Sequence, residues 1–311
     1  MLLTAGTIAL LYGIIEGPVA GWSSRQVLGS LVLAVVLLGA FPWYELRRRH
    51  PMLDPRLFRL AGVRVGMTGI FAQFFALFGL FYINAQYLQD VKGYSPLLSG
   101  VAILPLAGVM AYASARSMRL AARMGERTTI VLGLLCVTVG LALMSFATAT
   151  TPYAVYGLLL ALAGSGCGLA LPPLSGMIVH ALPPTHAGVS SGLNSTVREL
   201  GSAVGVAVLG TILTAQFARH LPAALRDVPG AKGQAVRQSI TAALSSAAGA
   251  PGPGIRTHLL NATRDAFTSG TSIGLRAGAA VLLITAAAVA CQPPGGQKRE
   301  VKLRRPHDPA M

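Results

Sequence analysis

Apolar runs long enough to cross a lipid bilayer recur along the whole chain, and nothing else in the sequence restricts its fold so tightly. A helix needs about 20 apolar residues to span the hydrocarbon core. Eight such runs occur, at 1–18, 27–46, 65–88, 96–116, 128–148, 153–179, 189–217 and 269–291. Backbone N–H and C=O groups find no water in lipid, so each run must pair them as a helix or within a closed barrel. Barrel strands alternate over about ten residues, and stretches such as VLGSLVLAVVLLGA do not alternate. The composition agrees: 53% of residues are hydrophobic and only 11% are charged, against about a quarter charged in soluble domains. The chain therefore reads as an all-α integral membrane protein with about eight transmembrane helices. Most prolines near the spans stand at their ends (Pro18, Pro96, Pro152, Pro183, Pro184), whereas Pro105, Pro172 and Pro173 fall inside spans and predict kinks.

Lysine and arginine set the orientation. RRRH with Arg56, Arg59 and Arg64 follows the second span, Arg116, Arg119, Arg123 and Arg127 follow the fourth, and KREVKLRR lies in the tail. The intervening short connections hold Arg25, Lys92 and, in ATATTP, neither residue type. By the positive-inside rule the arginine-rich side is cytoplasmic, which predicts a multi-pass protein of the cell membrane with a cytoplasmic C-terminus. The same clusters account for the net charge of +15 as topology determinants touching anionic membrane lipid. No nucleic-acid-binding motif accompanies them, so no nucleic-acid partner is expected. Cys136, Cys167 and Cys291 are odd in number and lack CxxC spacing, which implies neither a disulfide framework nor a zinc site. His50, His180, His186, His220, His258 and His307 fall in loops, span ends or the tail. Neither HExxH nor GxxxxGK[ST] occurs, and no cofactor or enzymatic chemistry is expected. The opening MLLTAGTIALLYGIIEG lacks the basic lead and AxA-type site of a signal peptide. Met1 stands at the membrane edge, as expected of an N-terminally truncated membrane protein.

Several separated motifs carry a family resemblance. YLQDVKGYSPLLSGVAILP (87–105), RLAARMGER (119–127) and AGVSSGLNSTVRELGSAVGVAVLGTI (187–212) resemble the C-terminal half of fourteen-helix drug:proton antiporters of the major facilitator superfamily. EGPVAGWSS and RRRHPMLDPRLFR resemble the two extra helices and following linker of that branch. The resemblance implies two connecting helices at 1–46, a cytoplasmic linker at 47–64, a C-terminal six-helix bundle at 65–291 with an external segment at 218–268, and a basic cytoplasmic tail at 292–311. It also implies that the N-terminal six-helix bundle, with the family's principal loop motif, antiporter motif and proton-coupling acid, is missing. Such transporters rock two bundles around a site between them, so one bundle supplies one wall. The expected function is the C-terminal portion of a proton-coupled efflux transporter for small, hydrophobic, often cationic molecules, inactive without an N-terminal bundle. The alternative is a non-transporting helical-bundle interaction protein or a truncated remnant.

Polar residues inside the spans are the candidates for function. Gln73, Leu77, Leu80 and Asn84 fall at three- and four-residue steps and share a helical face. Buried amides cost free energy unless paired, so Gln73 and Asn84 serve either helix-to-helix hydrogen bonding or the substrate pathway. FAQFFALFGLFY places Phe71, Phe74, Phe75, Phe78 and Phe81 in the same span. Of these, Phe74 and Phe78 are taken as candidates for stacking on a flat apolar cation, and the others for lipid contact and packing. Gly201 and Gly205 make a GxxxG step, and Gly164, Gly166 and Gly168 thin another helix; both sets predict close backbone approach. In RLAARMGER, Arg123, Gly125 and Arg127 resemble the C-terminal echo of the superfamily's loop motif, in which a tight turn and basic side chains latch helix ends. The echo departs from the full motif at Met118, Ala122 and Glu126, and a solvated positive-inside loop is the alternative.

Arg198 and Glu199 stand side by side within STVRELGSAVGVAVLG. Asn194 and Arg198 share one helical face, Ser195 and Glu199 the next. The span 189–217 is about 43 Å long, against a hydrocarbon core of about 30 Å. Arg198 can therefore snorkel toward the headgroups, or face the bundle interior as a functional group of the substrate pathway, with Asn194 beside it. In the family pattern an arginine stands here, usually followed by glutamine, so Arg198 matches and Glu199 departs. A desolvated carboxylate at Glu199 can carry a proton, and a water-exposed one does not. Glu16 resembles the acidic residue near the outer end of the first connecting helix and is the second proton-linked candidate; a simple helix exit is its alternative. The external segment is Ala-, Gly- and Pro-rich around AGAPGPG, and AVRQSITAALSSA and IRTHLLNATRDAF predict short amphipathic helices on either side of it, as a connector at the outer mouth. QPPGGQKREVKLRRPHDPAM reads as a disordered basic tail.

Overall fold

The computed structural model describes residues 2–47, 60–182 and 187–292, and every regular element among them is a helix. In chain order these are α1 (Leu2–Ala20), α2 (Arg25–Leu46), α3 (Ala61–Gln86) with a π-helical turn at Tyr87–Val91, α4 (Pro96–Val101), α5 (Leu104–Met124), α6 (Glu126–Met144), α7 (Tyr153–Ala181), α8 (Ala187–His220), α9 (Ala223–Arg226), α10 (Gly230–Gln238), α11 (Ile240–Ala248) and α12 (Pro253–Cys291). Six stretches among the described residues are long and apolar enough to cross a membrane: Ala61–Val91, Pro96–Met124, Glu126–Met144, Tyr153–Ala181, Ala187–His220 and Pro253–Cys291. The other two expected spans, α1 and α2, are helices whose apolar stretches are the shorter Thr4–Gly17 and Arg25–Ala40. Most of the expected linker at 47–64, and all of the expected tail beyond Gln292, lies outside the described residues.

The six long spans pack in a fixed set of pairs: α3 with α8, α5 with α7, α6 with α7 and α12, and α8 with α12, while α1 and α2 form a hairpin whose α1 rests on α8. Small residues decide several close pairings, among them Gly133 of α6 on Gly166 of α7. A Cβ placed on Gly201 or Gly205 of α8 would overlap the carbonyl oxygens of Phe71 and Phe75 of α3. The two helices advance in step by four residues, so they run parallel. Gly164 and Gly168 of α7 likewise lie on the carbonyl oxygens of Leu106 and Met110 of α5. Lipid supplies no hydrophobic drive for helices to associate, so such backbone approach supplies the contact that larger side chains would prevent.

The structure corrects the expected spans in two places. The fourth span is not one helix: it breaks at Ala102–Ile103, where Ile103 precedes α5 and Pro105 stands in the first turn of α5. Proline lacks the N–H that a continuing helix would use, and it fits a helix's first turn, where that N–H is not needed. Pro172 and Pro173, by contrast, lie within α7, which continues to Ala181 without a break. The last span does not begin at 269 after a separate amphipathic helix. Instead α12 runs for 39 residues, about 58 Å at 1.5 Å per residue. The stretch before it is a packed cap: Leu221, Leu225, Val236, Ile240, Ala243 and Ala247 are all buried, and α11 lies on α12. It is joined to the π-helical turn by the Thr241 hydroxyl, which donates to Asp90 Oδ1 at 3.0 Å.

Because Gly205 meets backbone and Gly108 of α5 meets nothing within 4 Å, the two positions should respond oppositely to bulk. Gly205→Leu is expected to lower the detergent-solubilised melting temperature, with an overpacking cost of about 1–3 kcal/mol or more, and Gly108→Leu to leave it nearly unchanged. Equal melting temperatures for the two variants would refute this packing account.

Candidate functional site

The seam between α3 and α8 brings together four of the expected residues. The Arg198 guanidinium lies 5.2 Å from the centroid of the Phe74 ring. Phe74 stacks on Phe78 at 5.9 Å. Arg198 and Glu199 are both exposed on the protein surface, and a cleft of about 400 Å³ between α1, α3 and α8 is lined by Glu199 and Phe78 among others. One turn earlier, Asn194 Nδ2 donates to the Ser190 carbonyl at 3.1 Å, while its buried Oδ1 has no partner among the described residues. Asn194 stands one turn before Arg198 on the same face of α8. Glu16 is half-buried on α1 and has no hydrogen bond or ion pair among the described residues.

Gln73 and Asn84 go elsewhere. With Leu77 and Leu80 they form the expected common face, but that face is turned into the bundle, and both amides are fully buried. Asn84 Oδ1 accepts a 2.8 Å hydrogen bond from the Tyr156 hydroxyl of α7. Gln73 faces the weakly polar Cys167 thiol of α7, and its amide has no stronger hydrogen-bond partner among the described residues. The structure does not bring either amide to the cleft. Asn84 instead belongs to a chain of contacts at the far end of the bundle, where the Tyr156 ring stacks on Tyr87 at 4.8 Å and the Tyr87 hydroxyl donates to the Thr148 carbonyl at 2.7 Å. Lys92 Nζ donates to the carbonyls of Ala149 and Thr151. Partial desolvation there lowers the Lys92 pKa from the ordinary lysine value.

Sequence reasoning missed Tyr156 and Arg276. No local spacing marks Tyr156, because its partner is on another helix. Arg276 did carry a signal, a lone charge inside an apolar span. It donates from Nε to Ser145 Oγ at 3.2 Å and lies 5.2 Å over the Phe146 ring.

At the opposite end, Gly125 joins α5 to α6 with φ 88°, a left-handed conformation that glycine adopts without a Cβ penalty. Arg127 Nε donates at 3.0 Å to the Val289 carbonyl in the last turn of α12, where a cation also meets the negative end of the helix dipole. Arg123 is exposed, with no partner among the described residues. Glu126, a departure from the motif, stands 3.8 Å from His180 Nδ1 at the end of α7. Of the three expected latch residues, Gly125 forms the turn between α5 and α6 and Arg127 makes a contact to another helix.

Gly188–Ser190–Gly192 has the G-x-S-x-G spacing of a hydrolase nucleophile, a pattern that needs a strand-to-helix elbow. Here all three lie within α8, and the Ser190 hydroxyl donates to the Ala187 carbonyl. Among the described residues no group of three or more His, Cys, Asp and Glu side chains could hold a metal ion.

Comparison with known proteins places these contacts in context. The family model described as Major Facilitator Superfamily matches residues 1–206. The multidrug resistance protein Stp of Mycobacterium tuberculosis is 37% identical over 223 residues, covering 71% of this chain and 41% of Stp. The multidrug efflux pump LfrA of Mycolicibacterium smegmatis is 32% identical, covering 86% of this chain and 52% of its own. The tetracenomycin C resistance and export protein of Streptomyces glaucescens is 29% identical over 92% of this chain and 54% of its own. The chain thus spans about half the length of the relatives it matches.

The Tyr156–Asn84 bond has a direct test. Tyr156→Phe keeps the ring stack but leaves a buried amide oxygen unpaired, which costs about 1–3 kcal/mol. A clear drop in melting temperature is expected in detergent, and none for Thr150→Ala in the exposed loop nearby. An unshifted Tyr156→Phe melt would mean that the hydrogen bond contributes nothing net.

Proposed function

Because the chain belongs to the major facilitator superfamily, we propose that it is the C-terminal portion of a proton-coupled efflux transporter for hydrophobic, cationic small molecules. In this reading α1 and α2 are the connecting helices (1–46), and α3, α4 with α5, α6, α7, α8 and α12 are the six spans of the C-terminal bundle. The arginine-rich end, with the end of α12, faces the cytoplasm. Transport requires an N-terminal bundle to supply the opposing wall of the pathway.

One observation carries the reading. Of the most apolar stretch of the α4–α5 span only 22% is buried, against 61% for α3. A helix that buries so little within its own bundle offers a broad face for something outside it. Open positions at Gly100 and Gly108, where a Cβ would meet nothing within 4 Å, lie on this same span. The names of the relatives, which describe multidrug resistance and efflux in proteins about twice as long, fit a second bundle against that face. Arg198, beside Phe74 and Phe78, is the pathway group in this reading, half-buried Glu16 is a proton-linked carboxylate, and exposed Glu199 joins it where the assembled transporter covers its side chain.

Proteoliposomes provide the test. The chain alone is expected to build no substrate gradient, whereas the chain paired with the N-terminal bundle of a relative such as Stp is expected to build one that a protonophore collapses. Uphill transport by the chain alone would overturn the proposal. In the paired transporter, Arg198→Ala and Glu199→Gln should each shift the pH dependence of efflux. An unchanged pH profile at equal expression would remove both residues from the mechanism.

A further inference from the structure

Glu199 is a carboxylate without an ion partner among the described residues, and it stands where the fold has hollowed out a cleft. On the α8 side the cleft is cut by small residues, Ala203, Ala207 and Gly210. A Cβ on Gly210 would come within 3.1 Å of the Tyr82 ring, so the hollow depends on the missing side chain. Across from it stand the rings of Phe78 and Tyr82 from α3, and Leu11 and Ile15 of α1 close the remaining side. The cleft is open on one side, and its volume of about 400 Å³ lies in the range of small-molecule pockets, roughly 300–1,000 Å³.

Charge selects the occupant. Glu199 is the sole charged group lining the cleft. Its neighbour Arg198 does not neutralise it, because that guanidinium is turned onto the Phe74 ring. An anion would be repelled there, and a neutral molecule would leave the carboxylate unpaired next to apolar walls. A cation with apolar substituents satisfies both features, and the two rings offer it their negative faces.

We infer that this cleft binds lipophilic monocations, with Glu199 as counter-ion, Phe78 and Tyr82 as the aromatic wall, and the first connecting helix as the opposing wall. The connecting helices then do more than join two bundles: one of them completes a ligand site. The inference deepens the transport reading and rests on it for the identity of the natural occupant, but binding itself needs no second bundle.

Two ions of nearly equal size and shape and opposite charge test it, with the full chain in nanodiscs of zwitterionic lipid. Tetraphenylphosphonium is expected to bind saturably and tetraphenylborate not. Glu199→Gln should weaken phosphonium binding at least tenfold, and Ala203→Phe, which fills the cleft and keeps the carboxylate, should abolish it. If Ala203→Phe loses its melting transition, Ile15→Trp narrows the cleft from the exposed α1 side and takes its place. Saturable binding of both ions with equal affinity, or phosphonium binding indifferent to Glu199→Gln, overturns the site. If the paired transporter is inactive while phosphonium binding follows these expectations, the transport reading fails and the site stands. Active efflux with binding indifferent to the variants gives the reverse result.

Discussion

Where α8 meets α3 and α7 meets α5, the closest contact is glycine against carbonyl oxygen, with no side chain between. Helices in lipid gain little from hiding apolar surface, since the surroundings are equally apolar. What holds them in register is therefore dispersion between closely apposed backbones and the few polar contacts that cross between helices. The parallel pairing of α3 with α8 fixes Phe74 beside Arg198 and Phe78 beside the face that bears Glu199. The cleft and its charge are consequences of that pairing, because a shift of one helical turn would separate the rings from the charged pair.

Polar contacts between helices concentrate at the two ends of the bundle. Arg127 on α12 and Glu126 beside α7 join helix ends on one side. Lys92, Tyr87 and Tyr156 join α3 to α7 and the preceding loop on the other. Between them the interior holds few hydrogen-bonding groups, and Gln73 is the conspicuous exception: a fully buried amide set against the Cys167 thiol of α7.

Much of this was legible in the sequence, for a physical reason in each case. Apolar run length is set by bilayer thickness, and the GxxxG step by backbone approach, so α3, α6, α7 and α8 and the close contacts of Gly201 and Gly205 could be read directly. Proline was ambiguous. Pro105 sits where the chain could end one helix and begin another, whereas Pro172 and Pro173 sit in a helix flanked on several sides, where neighbours hold it together. The start of α12 was hidden because Thr, Asn, Arg and Asp interrupt the apolar signal between 253 and 268 without interrupting the helix, which the cap packs against. The Tyr156–Asn84 bond joins residues 72 apart in sequence, and no periodicity reports a partner so distant. The α1 wall of the cleft was equally invisible, since it depends on where a hairpin comes to rest.

The length of α12 has a mechanical consequence. At about 58 Å it is a single rod, held at one end by the grip of Arg127 on its final turn and carrying α11 near the other. Pivoting such a rod by 5° about its held end would sweep the opposite tip through about 5 Å, comparable to one helical pitch. Small adjustments near the held turn are thereby magnified into displacements of the helical cap that a shorter segment, ending at the membrane surface, could not produce.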